Sequence, residues 1–113
     1  MIKNLSNNKT IAKNAEFCRS LFSRFVGLMF SPKNNKAFVF EFDKEQFISL
    51  HMIFVFYPID VLFLDGNKMV VDIKERFKPF TFYTSKKKAM YAIELPKGTI
   101  KKSGTKIWDR INS

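Results

Sequence analysis

Hydrophobic residues fall in short β-prone runs that are separated by turn residues. The runs that we predict as strands are Lys9–Ala15, Ala37–Phe42, Phe47–Phe56, Asp60–Leu64, Lys68–Ile73, Met90–Leu95 and Lys106–Ile111. Phe38, Phe40 and Phe42 occupy alternate positions, so they share one strand face and are expected in the core. The Asp65-Gly66-Asn67 segment is the clearest hairpin turn of the chain.

One segment has helical spacing instead. Leu21, Phe22 and Phe25 lie on one face of a short helix near residues 20–26, and Gly27 is placed as its C-terminal stop. Short strands with a single short helix predict an all-β fold, either a small β-sandwich or a barrel. The length of 113 residues fits one domain over residues 1–113.

Composition limits the class of protein and its location. The 46% hydrophobic content is that of a folded domain, and no run approaches the ~20 apolar residues of a membrane helix. The first 15 residues contain no apolar region typical of a secretory signal, and one cysteine allows no internal disulfide. We therefore expect a cytoplasmic protein. A single histidine and a single cysteine predict no zinc cluster, and we expect no cofactor.

The charge is strongly positive and unevenly distributed. The formal net charge of +10 divides into +6 over residues 1–36, −4 over 37–73 and +8 over 74–113. Such polarity can attract nucleic acid or another polyanion. The alternative is a codon bias, since Lys, Asn, Ile and Phe are all encoded by AT-rich codons. In that case the basic surface has no function.

Four ordered blocks carry a family resemblance. Arg24, Gly27, Leu28, Met29 and Phe30 form an R-x-x-G-L-M-F pattern. The later blocks are Leu50–Phe54 with Tyr57–Asp65, then Ile93–Gly98, then Gly104–Asp109. Together they resemble domain of unknown function 192, in the form typical of archaeal members. The resemblance implies a small β-rich domain, usually alone, with no established reaction. Trp108 stands where that family usually has Gly, which alters any close backbone approach that Gly permits.

Four polar residues within these blocks are candidates for an enzyme pocket. If residues 49–53 and 59–64 form a hairpin, His51 lies opposite Asp60, and the pair could act as a general base or simply fix the register. Glu94 points away from Ile93 and Leu95, towards solvent or inward. If it points inward it needs a cation, and Arg24 is the candidate. Arg24 could instead bind an anionic ligand.

The leading expectation is nevertheless a binding module for a polyanion, such as nucleic acid, or for a small anionic ligand. The candidate ligand-binding residues are Arg24, Lys86, Lys87, Lys88 and Trp108. The Phe77–Phe82 stretch, which is bordered by lysines, is the best candidate for exposed aromatic residues. A third possibility is a domain that docks on a protein. We expect no membrane partner, and a monomer or a weak homodimer.

Overall fold

The fold is organised around a five-stranded mixed sheet. The computed structural model describes residues 1–19, 36–51 and 58–112. The strands in these ranges are β1 (Ile2–Asn4), β2 (Lys9–Ala12), β3 (Asn14–Arg19), β4 (Lys36–Gln46), β5 (Ser49–His51), β6 (Ile59–Leu64), β7 (Val70–Phe77), β8 (Phe82–Thr84), β9 (Ala89–Pro96) and β10 (Ile111–Asn112). The helix they contain is α1 (Thr99–Ser103). The helix predicted near residues 20–26 lies outside the described residues.

Three sheets make up the described part of the chain. The central sheet has the order β3-β4-β9-β6-β7, with β3 parallel to β4 and the other neighbours antiparallel. A three-stranded sheet has the order β10-β1-β2, and β5 pairs with β8 in a third. In the described residues the central sheet is open, with β3 and β7 at its edges, so the fold is a small β-sandwich.

Each face of the central sheet is buried in its own hydrophobic core. One core, which we call the phenylalanine core, contains Phe38, Phe40, Phe42, Phe63 and Phe77 and includes Leu50 of β5. The other core contains alternate residues of the same strands and packs them against β1, β2 and α1. Because both faces are buried, every residue of Ile59–Leu64 is apolar except Asp60. The predicted core position of Phe38, Phe40 and Phe42 is confirmed.

The strand predicted over Lys106–Ile111 is wrong. Trp108 has a φ of 73°, and its segment forms turns before β10 begins at Ile111. The short helix α1 was not predicted. Gly98 and Gly104 flank it with φ of 87° and 65°, and Gly104 caps its C-terminal end. These two glycines were the sequence feature from which the bounds of α1 could have been predicted. No helix within the described ranges is long and apolar enough to cross a membrane.

Candidate functional site

Asp60 is fully buried and holds two distant backbone segments. Its Oδ1 accepts the backbone N–H of Arg76 at 3.0 Å, and its Oδ2 accepts that of Ile100 at 3.0 Å. The first contact fixes the irregular end of the β6–β7 pair, and the second fixes the start of α1. Both carboxylate oxygens therefore have structural partners, and Asp60 links the central sheet to the helix.

The predicted hairpin that places His51 opposite Asp60 is wrong. β6 already has β7 on one side and β9 on the other, so no edge of β6 is open to β5. Asp60 pairs with Leu95, whereas His51 pairs with Phe82 in the separate β5–β8 sheet. The two residues consequently belong to different sheets, and the register that would place them opposite each other is not formed.

Glu94 lies in the middle of the sheet and points inward. It is flanked by Phe38 of β4 and Val61 of β6, both of which belong to the phenylalanine core. The side chain is 1% exposed, and Oε1 has no hydrogen-bond partner among the described residues. Burial raises the pKa of this carboxyl well above its usual value, because the charged form loses its hydration.

Asp60 and Glu94 do not share a pocket. Side chains alternate between the two faces of a strand, and Glu94 pairs with Val61, the residue after Asp60. Glu94 faces the phenylalanine core, whereas Asp60 faces the other core and reaches Ile100 there. Arg24, the predicted cation for Glu94, lies outside the described residues. Glu94 therefore remains a catalytic candidate, whereas both carboxylate oxygens of Asp60 accept structural hydrogen bonds.

The lysine loop, residues Lys86–Lys88, is exposed and anchored at its base. The anchor is Asp72 of β7, whose Oδ2 accepts the Lys86 N–H at 2.8 Å and the Tyr83 hydroxyl at 2.7 Å. The Ser85 hydroxyl donates to the Lys87 carbonyl at 2.8 Å. Burial and the hydrogen bond to Asp72 raise the pKa of Tyr83 to about 12. This network fixes the backbone of the loop, so its ammonium groups project from a defined base.

Trp108 is held at the surface by its own turn. Its N–H donates to the Val70 carbonyl at 2.7 Å, and Asp109 closes the turn by accepting the Lys106 N–H at 2.8 Å. The Trp108 side chain remains 56% exposed. Its left-handed φ explains why Gly would suit this position, because Gly adopts this conformation without the steric cost of a side chain.

The structure brings Lys87 and Trp108 together. The Lys87 Nζ lies over the indole ring, 5.5 Å from its centroid, although the residues are far apart in sequence. A second pair lies close by: Lys74 of β7 stands over Tyr83, with 5.1 Å between Nζ and the ring centroid. We call Lys86, Lys87, Lys88 and Trp108 the Lys87–Trp108 surface.

The contact of Lys74 with Tyr83 and the anchoring of the lysine loop by Asp72 were not predicted from the sequence. The predicted strand ended at Ile73, before Lys74, and β8 was not predicted. The Phe77–Phe82 stretch is divided, with Phe77 buried and Phe80 and Phe82 exposed.

The fold and these surfaces define a small β-sandwich domain with a basic aromatic surface and a buried carboxyl, whose Oε1 has no hydrogen-bond partner among the described residues. A family model described as "Uncharacterized ACR, COG1430" matches residues 2–113, and the chain belongs to this DUF192 family. A UPF0127 protein of Thermococcus sibiricus is 39% identical, covering 99% of this chain and 73% of the relative. One from Pyrococcus furiosus is 36% identical, covering 96% and 93%. The resemblance to an archaeal-type member is thus confirmed.

Two solved structures share the fold. One is described as a putative transcription regulator from Sinorhizobium meliloti, with a TM-score of 0.84 and 23% identity, covering 98% of this chain and 88% of that one. The other, a protein of unknown function from Novosphingobium aromaticivorans, has a TM-score of 0.79 and 18% identity, covering 88% and 74%. At these identities the likeness shows the fold alone.

Proposed function

We propose that this protein is a binding module for single-stranded nucleic acid, which it holds on the Lys87–Trp108 surface. The observation that carries the proposal is the contact of Lys87 with the exposed Trp108 ring. An indole has two faces, so a base can stack on the face that Lys87 does not cover, while the neighbouring ammonium groups bind the adjoining phosphates. Single-strand binding needs these two elements next to each other.

The local charge supports this proposal. Lys86, Lys87 and Lys88 are exposed, and Lys106 and Arg110 lie on either side of Trp108 in the closing segment. The nearby carboxylates of Asp72 and Asp109 accept backbone N–H groups within the fold. The description of the Sinorhizobium meliloti neighbour as a putative transcription regulator is compatible with a nucleic-acid partner. The cytoplasmic location expected from the sequence is compatible too, and it stays a prediction.

A purely structural role for the lysine–tryptophan contact makes a different prediction. A lysine that only covers an indole contributes about 0.5–1 kcal/mol to stability at an exposed site and gives no affinity for a polyanion. Binding measurements therefore separate the two interpretations, provided that nonspecific attraction by a chain of net charge +10 is controlled.

The test compares two triple variants that lose the same charge. In the first, Lys86, Lys87 and Lys88 are replaced by Gln. In the control, Lys9, Lys13 and Lys102, which are also exposed, are replaced by Gln. Affinity for a labelled oligothymidylate with hydroxyl ends is measured by fluorescence anisotropy at several salt concentrations.

We expect the first triple variant to weaken binding and to lower the slope of log Kd against log salt by about 2, since each phosphate contact on a single strand contributes about 0.7. The control should retain most of the affinity. Equal losses in the two variants would show nonspecific attraction, and no binding by the parent protein at low salt would overturn the proposal.

A further inference from the structure

A groove separate from the Lys87–Trp108 surface runs along the edge strand β2. It has a volume of about 650 Å³ and lies between residues 9–14 on one side and Pro96 with α1 on the other. This volume lies within the range of roughly 300–1,000 Å³ that is usual for small-molecule sites. No residue of the groove belongs to the Lys87–Trp108 surface.

The charge of the groove is positive and uncompensated. Its lining includes Lys9 at the start of β2, Lys13 directly after β2 and Lys102 on α1, and the described lining contains no Asp or Glu. All three lysines are exposed, and none forms an ion pair with a carboxylate of the described residues. Three unneutralised ammonium groups around one concave surface attract an anion with more than one charge.

Among the polar residues of the lining, Ile11, Ala12 and Pro96 form an apolar part, which we call the apolar floor. Ile11 and Ala12 line the groove while belonging to the core beneath, and Pro96 closes one side. The Thr99 hydroxyl donates to the Pro96 carbonyl at 2.6 Å, which joins the start of α1 to the end of β9. A ligand that matches both features combines an anionic group with a flat or apolar body.

We propose that this groove binds a small organic phosphate, a phosphate monoester with an apolar or aromatic body such as a mononucleotide. The phosphate lies among Lys9, Lys13 and Lys102, and the body rests on Ile11 and Pro96. The proposal goes beyond the nucleic-acid function, because it concerns a different surface and a free small molecule. Either proposal can fail without the other.

The test uses AMP, adenosine and inorganic phosphate as probes in isothermal titration calorimetry with the whole chain. We expect AMP to bind, and both adenosine and inorganic phosphate to bind at least roughly tenfold more weakly, since each lacks one of the two recognised parts. Replacing Lys9, Lys13 and Lys102 by Gln should reduce AMP affinity by at least about tenfold, because charge-assisted hydrogen bonds are lost. The matched control replaces Lys44, Lys78 and Lys101 by Gln; these lysines are exposed and lie outside both proposed sites, so this variant should bind AMP as the parent does.

The same three groove positions changed to Arg keep the charge and should retain binding. Thermal melting of each variant shows that it is folded. Inorganic phosphate binding as tightly as AMP would contradict the role of the apolar floor. Equal losses in the two Gln variants, or no AMP binding at millimolar concentration and low salt, would overturn the proposal.

Discussion

The ammonium group of Lys87 lies over the indole ring of Trp108, with 5.5 Å between Nζ and the ring centroid. The contact joins the lysine loop, which Asp72 anchors to β7, to a turn whose Trp108 N–H is bound by the first residue of β7. One edge strand thus positions both partners. The basic and aromatic residues are consequently displayed on a rigid support.

Replacing Trp108 by Gly should separate stability from binding. Trp108 has a φ of 73°, a conformation that costs a residue with a side chain about 1–2 kcal/mol and that Gly adopts freely. We expect Trp108→Gly to be about 1 kcal/mol more stable than the control Trp108→Ala, which keeps the strained backbone without the ring contact. Chemical denaturation measures the difference. Both variants should bind oligothymidylate more weakly, and undiminished binding by Trp108→Gly would remove the indole from the site.

Asp60→Asn should destabilise the fold by about 1–3 kcal/mol, because one carboxylate oxygen is replaced by an N–H donor that faces another donor in a buried site. The affected partners are the Arg76 and Ile100 N–H groups. Asp43 is exposed, so Asp43→Asn is the control. A melting temperature of Asp60→Asn that matches the control would contradict the buried network.

Glu94 should make stability depend on pH. Its pKa in the folded protein is raised above the ordinary value of 4.5 by burial, so the folded state binds more protons than the unfolded state between these two pKa values. Stability is therefore fully present below pH 4.5 and falls as the pH rises towards the folded pKa, by up to about 1.4 kcal/mol for each pH unit.

Glu94→Gln should abolish this fall, since the amide stays neutral. Denaturation curves collected between pH 4.5 and neutral pH measure it, and the exposed Glu75→Gln is the control that should retain the parent's dependence. A pH profile that is identical in the parent and in Glu94→Gln would contradict a raised pKa of the buried carboxyl.

Patterns with a local cause were predictable from the sequence. Alternation placed Phe38, Phe40 and Phe42 in the core, and the apolar run at Asp60–Leu64 gave β6. The pairing of β6 with β7 was predictable from the Asp65-Gly66-Asn67 turn, whereas the pairing of β6 with β9 was not, because it depends on contacts distant in sequence. The sequence marked Lys87 and Trp108 separately as candidates. Their contact depends on the left-handed backbone conformation of Trp108. The sequence did not indicate this conformation, because a Trp adopts it much less readily than Gly does.

The fluorescence of Trp108 gives the most direct test, because it is the chain's single tryptophan and forms part of the proposed site. Titration with unlabelled oligothymidylate at low salt should quench its emission as bases stack on the indole. The quenching should disappear as salt is raised and should require higher oligonucleotide concentrations in the Lys86, Lys87 and Lys88 to Gln variant. Binding that is detected by anisotropy and leaves the Trp108 emission unchanged would contradict the proposed nucleic-acid site.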